Sequence, residues 1–183
     1  IGPTFVRDEA GQLTAVNWIF NGWGAQAWAE WNKDAMIATR IAELTNTPRE
    51  DSWLVNEGGG IHVNGNGVVL LTDTVQLGEG RNSGRDRAQV EAEIHRLLGT
   101  NQAIWLKRGL TRDYDEFGTR GHIDIVACFA DENTILYHDQ QDPTHPDFAV
   151  SAEVRATLEA AEDCTSAMIV FPPGSVANLN QMS

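Results

Sequence analysis

Apolar and polar residues alternate in three pairs of short segments, and a polar turn separates the two members of each pair. β-Branched and aromatic residues are frequent in these segments, which is typical of β-strands. The pattern predicts three hairpins, with strands at residues 2–6 and 13–18, 60–63 and 68–72, and 121–129 and 134–137. The second turn has the sequence Asn64-Gly65-Asn66-Gly67, and Asn-Gly steps are a strong signal for hairpin turns.

A helical pattern follows each predicted hairpin, because apolar residues recur there with i, i+3 and i+4 spacing. The pattern predicts helices over residues 33–44, 86–98 and 152–161. Ile37, Ile41 and Leu44 should share the buried face of the first helix, and Ser151 should be the N-cap of the third. A short strand should follow each helix, at residues 53–55, 103–106 and 168–171.

The predicted elements form one unit, strand–strand–helix–strand, repeated three times. Gly2, Gly60 and Gly121 occupy matching places in the hairpins and are separated by 58 and 61 positions. A regular period indicates units that bury their apolar faces against neighbouring units. We therefore predict an α/β fold built as an open array, since a closed propeller-like ring needs more than three units.

Composition narrows the classes of function. The chain has 183 residues and a formal net charge of −13 at pH 7, which argues against a protein that coats a nucleic-acid backbone with Lys and Arg. Hydrophobic residues make up 42% of the chain, enough for a packed core. No apolar run reaches the roughly 20 residues of a membrane helix. We therefore expect neither a nucleic-acid nor a membrane partner.

The start of the chain and its cysteines bear on its completeness and location. The first residue is Ile1 rather than Met, and it opens directly into a strand-like segment, so we expect that residues are missing before it. No signal segment with a charged start and an apolar stretch precedes the first strand. Two cysteines, Cys128 and Cys164, are too few for a disulfide-rich secreted scaffold. We expect a cytoplasmic protein.

Candidate chemistry lies where the second and third hairpins begin. Residues i and i+2 of a strand share a face, so His122 and Asp124 should point the same way. An imidazole beside a carboxylate suits an acid/base group next to a group that holds a cationic substrate. Glu57 precedes the glycines at the matching place in the second hairpin. The alternative is structural, a strand-end histidine hydrogen-bonded to backbone.

Other reactive residue types are better explained as structural. Cys128 shares the strand parity of Asp124, but four extended residues span about 13 Å, beyond the reach of a nucleophile and its base. Cys164 follows two acidic residues, which raise a thiol pKa. The His and Asp residues between 138 and 147 lie among turn residues and favour a solvated loop, so we predict no metal site. Crowded tryptophans, including Trp23, indicate core packing or a rim over a cation pocket.

Taken in order, these segments resemble the agmatine deiminase and bacterial-type peptidylarginine deiminase family of the guanidine-modifying pentein superfamily. The matching motifs are Gly2-Pro3-Thr4-Phe5-Val6, Phe20-Asn21-Gly22-Trp23-Gly24, the run from Glu57 to Gly65, Arg81-Asn82, Ile104-Trp105-Leu106 and Gly121-His122-Ile123-Asp124. The resemblance implies a pentein α/β propeller of five ββαβ units, of which about three are present. Their approximate bounds are 1–56, 57–107 and 108–183 within one partial deiminase domain.

The resemblance also implies guanidine hydrolysis through a covalent thiouronium intermediate, without a cofactor. His122 would be the acid/base, Asp124 and Glu57 would be carboxylates that hold the guanidinium, and Trp23 would contact the substrate. The nucleophilic cysteine of the family belongs to its last unit, which we expect beyond the end of this chain. Arg120 departs from the family pattern, in which an acidic or small polar residue is commoner at this place, and a cation so close could repel a cationic substrate. The tail, residues 172–183, also departs from it.

The favoured function is therefore hydrolysis of agmatine to N-carbamoylputrescine and ammonia in putrescine biosynthesis. Deimination of arginine in proteins or peptides is the nearest alternative, and the sequence does not separate the two. A truncated binding module without catalysis and a His/Asp metallohydrolase are alternatives of other classes. We expect the fragment to be inactive alone. Open strand edges favour self-association, and so a homo-oligomer.

Overall fold

The computed structural model describes residues 1–161 and, for residues 165–170, the backbone alone. The strands in these regions are β1 (Thr4–Arg7), β2 (Leu13–Ile19), β3 (Arg49–Val55), β4 (His62–Val63), β5 (Val68–Thr72), β6 (Gln102–Leu106), β7 (Ala127–Phe129), β8 (Thr134–Asp139) and β9 (Thr165–Val170). The helices are α1 (Gly22–Ala25), α2 (Ile37–Leu44), α3 (Asp73–Gln76), α4 (Glu79–Asn82), α5 (Arg87–Leu98) and α6 (Phe148–Glu159). Short 3-10 segments lie at Asp34–Met36, Gly58–Gly60 and Thr111–Tyr114.

The strands form three sheets of three strands each, in the orders β1-β2-β3, β4-β5-β6 and β7-β8-β9. In each sheet an antiparallel hairpin comes first, and the third strand then pairs in parallel with the second. A parallel pair needs a crossover connection, and α2, α5 and α6 provide it. The predicted strand–strand–helix–strand repeat is confirmed. The bounds that we assigned to the units stay predictions.

Local sequence signals place the second hairpin and α5 as predicted. In the hairpin turn, Asn64 Oδ1 accepts hydrogen bonds from the backbone N–H groups of Asn66 and Val68, at 2.8 and 2.9 Å. In α5, Asp86 and Gln89 form a reciprocal capping box at the N-terminus. Short-range side-chain bonds therefore fix both boundaries.

The long first strand predicted for the third hairpin is wrong. Only Ala127–Phe129 pairs with β8, while residues 121–126 form a turn. Two N–H groups in the turn, those of Ile123 and Asp124, donate to the carbonyl of Gly59 at 3.0 and 3.4 Å. That carbonyl comes from the second repeat, so no pattern within residues 121–129 announces the turn.

Two details of the predicted helices are also wrong. Ser151 is not an N-cap but a buried residue inside α6, where its hydroxyl donates to the carbonyl of His138 and accepts from the Gln140 N–H. Leu44 is 86% exposed, because Ala38 and Ala42 form the buried face of α2. The predicted strand end at Phe171, Cys164 and the tail 172–183 lie outside the described residues.

The middle strand of the second sheet joins two hydrophobic cores. Leu70 belongs to a core shared with β8 and α6, and Leu71 belongs to a core shared with β2, β3 and α5. Neighbouring strand residues point to opposite faces, so β5 is covered on both sides. No helix in the described part of the chain is both long and apolar enough to cross a bilayer.

Shortening one leucine of β5 should destabilise the core to which that leucine belongs. Leu70→Ala and Leu71→Ala remove fully buried side chains, and each should lower the free energy of unfolding by about 2–5 kcal/mol. The exposed Leu44→Ala is the control and should change it by less than about 0.5 kcal/mol. Urea unfolding followed by circular dichroism measures all three. Equal losses in the three variants would contradict the burial of Leu70 and Leu71.

Candidate active site

The candidate site lies where three connecting segments meet at one end of the first two sheets. Residues 56–61 follow β3, residues 73–82 follow β5, and residues 107–126 connect β6 to β7. The third segment is tied to the second sheet by the Thr72 hydroxyl, which donates to the carbonyl of Gly121 at 2.7 Å. The carbonyl of Gly59 ties it to the first segment, as described above. Backbone contacts thus bring the sequence-predicted residues together.

Glu57 and His122 form a buried hydrogen bond. The Nε2 atom of His122 lies 3.0 Å from Oε2 of Glu57, and their side chains are 9% and 2% exposed. On its other side, Glu57 receives the guanidinium of Arg81. Nε of Arg81 donates to both carboxylate oxygens, at 3.0 and 3.1 Å, and Nη2 donates to Oε2 at 3.0 Å. Glu57 therefore sits between a permanent cation and an imidazole.

The environment of Glu57 keeps its carboxyl ionised. Burial alone acts to raise the pKa of Glu57, because a charged group loses its hydration. The hydrogen bonds from His122 and Arg81, together with their positive charge, act in the opposite direction. The net result is a pKa of Glu57 below its usual value. At neutral pH the side chain is a hydrogen-bond acceptor only.

Asp124 lies on the opposite edge of the imidazole and is much more open. Its Oδ1 is 3.9 Å from Nδ1 of His122, and its side chain is 49% exposed. Its charge also acts to raise the pKa of His62, although the larger effect of burial lowers that pKa. Among the described residues none donates a hydrogen bond to this carboxylate. Asp124 is thus a charged acceptor available to a ligand.

The backbone of His122 is held by Asp113, a residue that the sequence analysis missed. Carboxylate oxygens of Asp113 accept from the N–H groups of Thr119, Gly121 and His122, at 2.7, 2.6 and 3.1 Å, and from the Thr119 hydroxyl at 2.6 Å. Asp is typical of such local side-chain to backbone bonds. Its partners lie six to nine positions along the chain, too far for a turn motif to indicate them.

Glycine at position 121 is required by the backbone at this point. Its φ is +113°, which L side chains rarely adopt. A Cβ there would also lie 2.2 Å from the Thr74 hydroxyl oxygen and 2.6 Å from that of Tyr114. The position therefore turns the chain sharply into His122 while the segment stays packed on α3.

Trp23 lines a cleft that Glu57, His122 and Asp124 do not line. Its ring stacks on Trp28 at 5.4 Å between centroids and meets Phe20 edge-on at 5.0 Å. With Arg81 and other residues it lines a cleft of about 810 Å³. Arg81 thus borders this cleft and also forms the buried ion pair with Glu57. The substrate contact expected of Trp23 stays a prediction.

Arg120 lines the same cleft as Trp23, with its guanidinium engaged by neighbours. Its Nε donates to Gln26 Oε1 and its Nη1 donates to the carbonyl of Tyr114, both at 3.1 Å. The same side-chain amide of Gln26 donates to the carbonyls of Trp23 and Gly118. Hydrogen bonds to Gln26 and Tyr114 therefore hold the Arg120 guanidinium in place.

The reason given for a structural Cys128 needs correction. The separation of about 13 Å assumed extended residues between Asp124 and Cys128, but this stretch begins in a turn. Both residues line one small pocket of about 150 Å³. Cys128 itself is partly buried on β7, opposite Leu136. A structural role for Cys128 stays a prediction, and its support is now its place in the strand pair.

The predicted solvated loop at residues 138–147 is wrong for two of its aspartates. Asp139 is fully buried and pairs with Arg155. Asp147 is 5% exposed, and its carboxylate accepts from the N–H of Thr111 at 2.7 Å. These side chains anchor α6 and the long connecting segment. Across the described residues, no group of three or more His, Cys, Asp or Glu side chains is placed to hold a metal ion.

The sequence profile of the family described as Porphyromonas-type peptidyl-arginine deiminase matches residues 1–172. The chain belongs to this family. Its fold is accordingly a partial α/β propeller of the deiminase type, as the sequence predicted, and the enzymes of the family are hydrolases.

Relatives in this deiminase family come from bacteria and plants. A Streptomyces coelicolor protein named "Putative agmatine deiminase" is 62% identical over 147 residues, which are 80% of this chain and 43% of that protein. The agmatine deiminase of Pseudomonas fluorescens is 36% identical over 166 residues, which are 88% of this chain and 44% of the relative. The solved agmatine deiminase of Enterococcus faecalis superposes with a TM-score of 0.86 at 27% identity, over 94% of this chain and 48% of that one.

The chain spans somewhat less than half the length of these relatives. The match to the deiminase family spans residues 1–172, which include Arg81-Asn82 and the segment from Gly121 to Asp124. The structure brings these motifs together. Contacts run from Arg81 to Glu57, from Glu57 to His122, and from His122 to Asp124. Arg81 was part of the recognised motif, but nothing in the sequence identified it as the partner of Glu57.

The absence of a side chain at position 59 should matter, and position 58 provides the control. A Cβ on Gly59 would lie 2.3 Å from His122 Nδ1 and 2.7 Å from Asp124 Oδ2, whereas one on Gly58 would meet nothing within 4 Å. Gly59→Ala should cost about 1–3 kcal/mol of stability and shift the His122 imidazole resonances. Gly58→Ala should do neither. Urea unfolding and NMR make the comparison, and an unperturbed His122 in Gly59→Ala would refute the packing.

The lowered pKa of Glu57 predicts a pH-dependent contribution to stability. A carboxyl whose pKa is depressed by folding stabilises the protein above its unfolded pKa, near the usual 4.5, and loses that contribution as pH falls through the folded value. The stability difference between wild type and Glu57→Gln should therefore be largest at neutral pH and shrink below about pH 4.5. Urea unfolding from pH 7 to pH 3 measures it. A constant difference would contradict an ionised Glu57.

Proposed function

We propose that the protein containing this chain is an agmatine deiminase, which hydrolyses the guanidine group of agmatine to N-carbamoylputrescine and ammonia. The observation that carries the proposal is the imidazole of His122 between a buried, charge-compensated carboxylate and the open carboxylate of Asp124. An acid/base group beside a free anion suits a cationic guanidinium. The names of the relatives support agmatine as the substrate.

Each residue of the site takes a role in this reaction. Asp124 accepts hydrogen bonds from the guanidinium N–H groups and places the central carbon. His122 takes the proton of a cysteine thiol, the thiolate attacks that carbon, and His122 passes the proton to the departing nitrogen, which leaves as ammonia. Water then adds to the thiouronium as His122 accepts a proton from it. The C–S bond breaks, the carbamoyl product leaves, and His122 returns the proton to the thiolate. Trp23 keeps its expected role of offering an aromatic face to the cation, although the cleft it lines includes none of Glu57, His122 and Asp124.

We propose that the nucleophilic cysteine comes from outside this chain. Cys128 lies within β7, and none of the described histidine or carboxylate groups forms a hydrogen bond with its thiol. The relatives are about twice as long as this chain, so they contain additional units. We also propose the cytoplasm as the compartment, because two cysteines do not support a disulfide-rich secreted scaffold.

Deimination of peptidyl-arginine is the second candidate. The description of the family, peptidyl-arginine deiminase, favours it. Both substrates present the same guanidinium to Asp124 and His122, so the described chemistry serves either one. They differ in what lies beyond the guanidinium, which is a primary amine in agmatine and a peptide backbone in the alternative.

The test is to incubate the full-length gene product with agmatine or with an arginine-containing peptide, and to measure ammonia and the ureido product. His122→Ala should lower agmatine turnover by about 100-fold or more, and Asp124→Asn by a similar factor. Asp115→Asn, which removes an exposed carboxylate from the same connecting segment, is the matched control and should be fully active. If the enzyme turned over only the peptide, the substrate would be peptidyl-arginine and not agmatine.

The 183-residue chain assayed by itself should show no turnover. Guanidinium carbon is a poor electrophile, and the reaction needs a nucleophile activated close to its base. The full-length gene product is the positive control in the same assay. Ammonia release by the chain above a His122→Ala background would instead point to one of its own cysteines as the nucleophile.

A further inference from the structure

We propose that Arg81 is a positioning residue, which commits Glu57 to the Nε2 atom of His122 and thereby leaves Nδ1 as the nitrogen that exchanges protons with the substrate. The identity of that substrate rests on the proposed function. The arrangement of Arg81, Glu57 and His122 does not rest on it, because each contact is present in the structure. The inference assigns Glu57 to the histidine and leaves Asp124 to bind the guanidinium.

The contacts of Arg81 connect both partners of the buried hydrogen bond. Its guanidinium grips Glu57 through Nε and Nη2, and Nη2 also donates to the carbonyl of Thr119 at 2.7 Å. Thr119 lies three residues before His122, and its hydroxyl accepts from the His122 N–H at 3.3 Å. One side chain therefore fixes the acceptor for the imidazole and the segment that carries the imidazole.

Burial and the ion pair with Arg81 prevent Glu57 from also binding the substrate. The side chains of Arg81 and Glu57 are each 2% exposed, so a substrate guanidinium has no access to this carboxylate. Its negative charge is balanced by Arg81 at hydrogen-bonding distance. Asp124, by contrast, is half exposed, and no Lys or Arg in the described part of the chain forms an ion pair with it. The carboxylate that attracts a cationic substrate is therefore Asp124.

The protonation of His122 follows from the same contacts. Two carboxylates compete for the single N–H of a neutral imidazole. Glu57 is at hydrogen-bonding distance, 3.0 Å from Nε2, whereas Asp124 is 3.9 Å from Nδ1 and is partly hydrated. An ionised Glu57 only accepts, so Nε2 carries the proton and the lone pair of Nδ1 points towards Asp124.

Position 81 requires an arginine, because both the positive charge and the planar, two-pronged shape of the guanidinium are used. The planar guanidinium reaches two carboxylate oxygens and a carbonyl at once, which a lysine ammonium does not do in the same fixed geometry. The pocket is fitted to it, since a Cβ on Gly24 would lie 3.3 Å from Nη1. Without a cation, burial favours a protonated Glu57. A protonated carboxyl would donate to Nε2 and move the imidazole proton to Nδ1.

The experiment measures the tautomer of His122 directly, by ¹⁵N NMR of the histidine-labelled full-length gene product at a pH where the ring is neutral. His122→Ala assigns the resonances. Wild type should show the Nε2–H form, and Arg81→Met should show the Nδ1–H form. Arg87→Met is the matched control, because Arg87 makes a comparable forked contact with Asp73 on the surface. It should keep the Nε2–H form.

Arg81→Lys separates charge from geometry. It should keep the Nε2–H form, because the cation remains, and still lose about 10-fold or more in turnover as the fork is lost. If Arg81→Met does not fold, the double variant Arg81→Met, Glu57→Leu takes its place, because it leaves no unpaired buried charge. That variant should fold and show Nδ1–H.

A folded Arg81→Met or double variant that retains the Nε2–H form overturns the proposal, as does a tautomer change in Arg87→Met. The tautomer needs no turnover to be read. If the full-length gene product does not hydrolyse agmatine, the proposed function is wrong but this inference still stands. If the tautomer is unchanged in the folded Arg81→Met or double variant, this inference is wrong even when the enzyme hydrolyses agmatine.

Discussion

The ion pair between Arg81 and Glu57 is the interaction on which the site depends. Two charges with side chains only 2% exposed lose nearly all of their hydration, and only close pairing with further hydrogen bonds offsets that loss. Removing one partner of such a pair costs about 3–5 kcal/mol, because the other charge stays buried. Glu57 follows β3, Arg81 lies in α4, and the Thr119 carbonyl belongs to the segment between the second and third sheets. Separate parts of the chain must therefore be in place before the pair can form.

The sheets supply the rigidity that this pair needs. β5 is buried on both faces, with Leu70 and Leu71 in different cores, and the segment that carries Arg81 begins where β5 ends. The Thr72 hydroxyl, at that same end, holds the carbonyl of Gly121. Shifts of β5 would therefore move Arg81 and His122 together, which preserves their relation to each other.

Local signals predicted most of the fold, and non-local contacts account for the failures. The Asn64 turn and the Asp86 capping box are contained within a few residues, so the sequence shows them directly. Residues 121–126 resemble a strand in pattern, but the N–H groups of Ile123 and Asp124 bond to the carbonyl of Gly59, which belongs to another repeat. Motif recognition named Glu57, His122 and Asp124, yet the partner of Glu57 and the anchor Asp113 depend on tertiary placement, which periodicity does not encode.

Two carboxylates of one site behave differently because their surroundings differ. Glu57 is fixed, ionised and screened by Arg81, so its charge acts on the imidazole alone. Asp124 keeps a half-exposed side chain, and no cation among the described residues other than the neighbouring imidazole balances it, so its charge remains available to a cationic ligand. The absence of a side chain at position 59 allows this division, since a Cβ there would lie 2.3 Å from His122 Nδ1 and 2.7 Å from Asp124 Oδ2. Glycine therefore leaves room for the imidazole and the carboxylate side by side, and the exposed half of Asp124 stays open to a cation.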